Sequence, residues 1–172
     1  MYHGISHSFR VSKYDNEYRF NGVYLRDEWT SISDIGKVYD GKVFTYNEYI
    51  NVENTYLSLI KQVCSRLKVI EMRISSLEDY SNNCLYQEGF ILKGLDAIID
   101  VARDCLREKY WCKLRAPELE FHFGYDYYLY VRSSLDFKQL HYLVNDLGLF
   151  IEVKESPYYK TGDGSVVPTD EN

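Results

Sequence analysis

The sequence predicts an α+β fold: a small antiparallel sheet packed against two long helices and one short helix. Three observations predict it. Residues 119–123 and 127–133 alternate apolar and polar side chains around a Gly-containing turn, as a half-buried hairpin does. Two long stretches in the middle of the chain repeat apolar residues at helical spacing. The C-terminal part then reads strand, strand, helix, strand, an order that segregates helices to one face of the sheet.

Along the chain, Phe9 and Val11 alternate with polar neighbours and give a first strand over 6–12. Asn21-Gly22, between Tyr18-Arg19-Phe20 and Val23-Tyr24-Leu25, signals a hairpin, or a turn within a long excursion. Ser31 to Gly41 reads as loop. Thr45 and Glu48 form a capping box. Behind it Tyr56, Ile60, Val63, Leu67, Ile70, Ile74 and Leu77 make one helical seam, ended by Ser81-Asn82-Asn83. Leu57, Leu59 and Cys64 widen that stripe, which favours a globular spine over a coiled-coil dimer.

A second helix is expected from Glu88 to Tyr110, with Ile91, Leu95, Ile98, Ala102, Cys105 and Leu106 on one face. Gly89 and Gly94 weaken its start. Asp96, Asp100, Arg103, Asp104, Arg107 and Glu108 have the spacing of surface ion pairs. In the hairpin, a three-residue turn sets 123 opposite 127, 121 opposite 129 and 119 opposite 131. It also sets Glu118 opposite Arg132. Asp136 and Gln139 cap a third helix with Leu140, Leu143, Val144 and Leu147 inward, and Gly148 stops it. A last strand covers 150–154. Residues 1–156 are expected to form one domain, and 157–172 a flexible tail rich in Gly, Asp, Thr and Pro.

Composition narrows function. The chain has 172 residues and a net charge of −6, which argues against gripping nucleic-acid phosphates over a broad face. Residues 1–115 balance 16 basic against 16 acidic side chains, whereas 116–172 hold 4 against 10, so the whole excess lies late. No apolar run reaches membrane-spanning length. The first residues lack a secretory layout, so the expected location is the cytoplasm. The 18 tyrosines suit binding surfaces, although many such rings belong to cores. Cys64, Cys84, Cys105 and Cys112 read as reduced, mostly buried thiols. A Cys105/Cys112/His122 metal site lacks the usual zinc spacing. No metal or cofactor is expected.

No motif of catalysis or phosphate binding occurs. Glu118, Glu120 and His122 share a strand face, with Tyr128 and Tyr130 opposite and Asp126 at the turn. Carboxylates beside an imidazole can support acid–base chemistry or a metal. The same set can be a partner-binding face or an ordinary solvated or helix-covered face. The contact surface is expected on the acidic C-terminal third, centred on Glu118, Glu120, Tyr125, Asp126, Tyr128 and Tyr130. Trp29 anchors its polar loop to the core, or meets a partner with Asp27, Glu28 and Asp34 supplying negative charge.

Two stretches carry a resemblance. Glu28-Trp29-Thr30-Ser31-Ile32-Ser33-Asp34-Ile35-Gly36 precedes the capped helix, and Phe121-His122-Phe123-Gly124-Tyr125-Asp126-Tyr127-Tyr128-Leu129-Tyr130 follows the helical middle. In texture, residues 28–155 resemble bacterial immunity proteins that neutralise polymorphic or contact-dependent growth-inhibition toxins. The resemblance implies a cytoplasmic, non-catalytic protein that inhibits one cognate toxin domain, a nuclease among the candidates, by stoichiometric binding. It transfers no residue roles. The balanced charge of 1–115 departs from a uniformly acidic inhibitor. A monomer is expected, a homodimer through the first helix being the alternative. Two other functions remain open: a nucleic-acid mimic that blocks a defence enzyme, and a small enzyme using the Glu120/His122 face.

Overall fold

The computed structural model describes residues 4–159. Strand β1 (His7–Ser12) opens the chain. An excursion follows, with hairpins β2 (Arg19–Phe20)/β3 (Val23–Tyr24) and β4 (Val38–Tyr39)/β5 (Lys42–Val43). Asn21-Gly22 and Asp40-Gly41 turn them, all four residues at positive φ as two-residue hairpin turns require. The first hairpin matches the sequence signal. The second corrects the reading of 31–41 as plain loop.

Helix α1 (Tyr46–Leu67) has the expected Thr45/Glu48 box. It ends 13 residues before Tyr80, so the single long helix is corrected. Lys68 turns left-handed at φ 57, and the Val69 N–H closes onto Cys64 O at 2.8 Å. The chain then reverses as β6 (Glu71–Glu78). Met72 and Ile74 face the core by strand alternation, while Ile70 is 65% exposed. The second helix is corrected likewise. Gly89 and Gly94 both have positive φ, β7 (Ile91–Lys93) lies between them, and α2 is Leu95–Leu106.

Strands β8 (Trp111–Ala116), β9 (Leu119–Phe123) and β10 (Leu129–Ser133) precede α3 (Phe137–Asp146) and β11 (Phe150–Val153). The sheet has seven strands in the order β11-β1-β10-β9-β8-β6-β7, every pairing antiparallel. It is larger than the small sheet expected, because β6, β7 and β8 come from segments read as helix or left unassigned. The β9–β10 register is also corrected. Phe123 pairs with Leu129, His122 with Tyr130 and Glu120 with Arg132, so five residues rather than three make the turn. The shift is by two, so each side chain keeps its expected face.

The helices lie on one face. Phe9, Val11, Leu114, Phe121, Leu129 and Val131 from the sheet share a core with Tyr56, Ile60 and Val63 of α1, Ile98 and Ala102 of α2, and Leu140 and Val144 of α3. Trp29 anchors its loop there. Its ring stacks on Phe44 at 4.5 Å and meets Tyr127 edge-on at 5.0 Å. Among the described residues, no helix is long and apolar enough to cross a membrane.

Candidate functional site

The second face of the sheet is polar by alternation: Arg10, Lys113, Arg115, Glu120, His122, Tyr130 and Arg132. It is largely sealed. After β11 the chain crosses the strands as a strap. Ser8 Oγ donates to Lys154 O at 3.0 Å above β1. Arg132 of β10 donates to Glu155 at 3.1 Å and stacks on Tyr159 at 3.4 Å. Ser156 reaches His122 of β9 at 2.6 Å, and Tyr158 packs on Trp111 of β8 at 5.2 Å. Of the segment read as a tail, Tyr158 and Tyr159 therefore lie against the sheet; 160–172 fall outside the described residues.

Beneath the strap, Ser156 Oγ, His122 and Glu120 are in line. His122 Nδ1 is 2.6 Å from Ser156 Oγ and Nε2 is 3.2 Å from Glu120 Oε2. Burial lowers the His122 pKa, against the pull of Glu120, so the ring is neutral near pH 7. The carboxylate can only accept, which puts the ring proton on Nε2 and leaves Nδ1 to accept from Ser156. Burial alone would raise the Glu120 pKa. Hydrogen bonds from His122, Arg132 (2.7 Å) and Arg115 (2.8 Å) instead hold it at about 2. Serine, imidazole and carboxylate in sequence are the parts of a nucleophilic relay. Here His122 is 1% and Ser156 3% exposed. A cleft of about 490 Å³ touches Glu120 but neither His122 nor Ser156.

The other expected contact residues divide. Tyr130 is buried, and its ring lies over Gly124. Tyr128 is half-buried: its hydroxyl accepts from Arg19 at 2.9 Å and Arg10 sits 4.3 Å over its ring. Asp34 is buried as a turn cap. Burial opposes its charge, but Lys37 and the N–H groups of Thr30 and Ser31 hold its pKa at about 2. Glu28 is engaged by Tyr24 (2.6 Å) and Lys13 (3.2 Å); burial pulls Lys13 down to about 8 despite that carboxylate. Asp27 is exposed and Glu118 half-buried. Tyr125, 82% exposed, and Asp126 stand at the tip of the five-residue turn. The structure thus brings together Glu120, His122, Tyr130 and Arg132 under the strap. It leaves Tyr125 and Asp126 outside and sets Asp27, Glu28 and Asp34 in the separate excursion.

Next to Tyr125 lies a cleft of about 380 Å³ that the sequence reading missed. Tyr80, Trp111, Tyr125 and Tyr158 form walls, and Glu78 and Glu108 add carboxylates. The Trp111 indole is fixed by donating to Phe123 O at 2.6 Å. Its lining comes from β6, the end of α2, β8, the β9–β10 turn and the strap, segments whose proximity no local pattern encodes. The one sequence hint was the surplus of tyrosine. Cys105 and Cys112, 3.6 Å apart, are on the core side, whereas His122 projects from the opposite face with Lys113. The three do not converge on a metal.

No known family model matches the chain. Neither a curated protein nor a solved structure matches it significantly.

Proposed function

We propose that the chain is an immunity protein that binds a cognate bacterial toxin domain stoichiometrically and blocks it without turnover. The observation that carries this reading is the division of the polar residues. Ser156, His122 and Glu120 are sealed under the strap, with Glu120 charge-paired to Arg115 and Arg132, while the aromatic and acidic Tyr125–Asp126 tip is offered to solvent. An exposed tyrosine beside carboxylates is the make-up of an interface anchor with a steering rim. The inhibitor acts in the cytoplasm as a monomer, and its contact surface centres on the β9–β10 turn, with Glu118 at the margin.

The enzyme reading has one observation in its favour, the Ser156–His122–Glu120 alignment. A nucleophile needs room for a substrate carbonyl beside it, and a 3% exposed serine held within its own strap has none.

Coexpression tests the proposal. The gene product encoded beside this chain in its native host is expressed as its isolated C-terminal domain, with and without the chain. Toxicity alone, rescue together and a 1:1 complex are expected. Asp126→Lys with Tyr125→Ala weakens that complex at least about tenfold. Both positions are exposed, so the fold is kept; Tyr128→Ala is unsuitable because that side chain holds Arg10 and Arg19. Absence of rescue by the wild-type chain refutes the proposal.

A further inference from the structure

We infer that the cleft between Trp111 and Tyr125 is the socket for an arginine side chain of the partner, stacked between aromatic rings and paired with Glu78 and Glu108. The inference deepens the protein-binding reading above and rests on it.

The wall chemistry selects the charge. Tyr80, Trp111, Tyr125 and Tyr158 present ring faces or edges to a space of about 380 Å³, and faces of this kind attract cations. No lysine, arginine or histidine lines it. Lys113, with Nζ 5.9 Å from the Trp111 ring centroid, stands outside the lining. Both carboxylates await a counter-charge: among the described residues neither Glu78 nor Glu108 is in an ion pair. The Glu78 carboxylate accepts from the Tyr80 hydroxyl, a neutral donor. Glu108 adopts the left-handed region at φ 57, just after α2. Its pKa is raised, first by burial and then by Asp34 and Asp126, which is the condition a bound cation relieves.

Geometry chooses arginine. A guanidinium is planar, stacks on aromatic faces and pairs with two carboxylates at once, whereas a lysine ammonium is a hydrated point charge. The same geometry favours a side chain over a free metabolite. Small-molecule sites enclose most of their ligand. Here Tyr80 and Tyr125 are 80% and 82% exposed and form a rim, and the cleft adjoins the Asp126 tip. Buried arginines and tyrosines are the residues on which interface energy concentrates.

The test titrates the full chain with N-acetyl-arginine amide and follows the two tryptophan indole signals by NMR. Trp111 is expected to shift saturably, while Trp29, stacked on Phe44, stays fixed and reports that the fold is intact. The uncharged citrulline amide is expected to bind at least about tenfold more weakly. Glu78→Gln with Glu108→Gln removes the difference between the two. Equal binding of the citrulline compound, or no saturable Trp111 shift, overturns the inference. Tighter binding of tetramethylammonium than of the arginine amide also overturns it, in favour of a small quaternary-ammonium site. With the toxin domain in hand, the same double variant weakens the complex at least about tenfold. Unweakened capture by that variant rejects the socket and leaves the immunity reading standing. Failure of the wild-type chain to bind any toxin domain rejects that reading, while the amide titration still judges the cleft.

Discussion

At the scale of single residues, Glu120 and Gly124 show how the site is held. Glu120 is 5% exposed and accepts from Arg115, Arg132 and His122. Removing one partner of a buried charge cluster leaves the others uncompensated. Glu120→Gln is therefore expected to destabilise the fold by about 3–5 kcal/mol, read as a shift of the urea midpoint at unchanged slope. Gly124 is needed for space rather than for backbone freedom. A Cβ there would lie 2.9 Å from Tyr130 Cε2 and 3.2 Å from Tyr128 Cβ. Gly124→Ala forces the Tyr130 ring to move and is expected to cost about 1–3 kcal/mol. An unchanged melting temperature would show that the ring yields freely. The alternation of 118–123 and 129–133 was legible as two faces. What was not legible is that the polar face is covered. Its cover comes from Ser156, Tyr158 and Tyr159, in and beside a stretch whose Gly, Asp and Thr content reads as tail.

At the scale of elements, starts marked by a capping box were legible, and boundaries without one were not. The Thr45/Glu48 and Asp136/Gln139 boxes are local side-chain chemistry, and both appear as expected. Thr45→Ala removes the acceptor for the Glu48 N–H and is expected to cost about 1 kcal/mol in a denaturation midpoint. A loss under a few tenths would show that tertiary contacts alone hold the first turn. The end of α1 carries no glycine: Lys68 takes the left-handed position itself. Ile70, Ile74 and Leu77 continue the three-and-four spacing of the seam by coincidence. The alternation of Met72 and Ile74 in a strand is what the sheet uses. Helix α2 was overextended at its start for a related reason. Ile91 and Leu92 suit either period, and only the positive φ of Gly89 and Gly94 separates strand from helix. One ion pair at the C-terminal end of α2 also has a role that the surface spacing hid. Arg107 binds Glu53 of α1 through two hydrogen bonds of 2.7 Å, clamping the helices together over a carboxylate that is 1% exposed.

At the scale of the whole molecule, the buried polar face ties stability to pH. His122 has a folded pKa below its ordinary 6.5, because burial disfavours the imidazolium. Unfolded chains then take up a proton that folded ones refuse, so this contribution is full above about pH 6.5 and declines as pH falls below it. Glu120 and Asp34 act lower down. Their folded pKa values of about 2 lie below the ordinary 4.5 and 3.8, so their contributions are full above those values and vanish as pH approaches 2. Glu108, whose pKa is raised, works in the opposite sense and partly offsets the lower stage. Acid unfolding should accordingly proceed in two stages, and one substitution should remove each. His122→Asn keeps a group able to hydrogen-bond Ser156 but cannot titrate, so it flattens the melting temperature between pH 5 and 7. Glu120→Gln leaves that stage and weakens the dependence between about pH 4.5 and 2. Melting temperatures of the three proteins across pH 2–8 check both statements. If His122→Asn keeps the wild-type slope between pH 5 and 7, the proton is taken up elsewhere and the strap does not seal the imidazole. In that case the Ser156–His122–Glu120 row would be open to solvent, and the case for binding over catalysis would lose its main support.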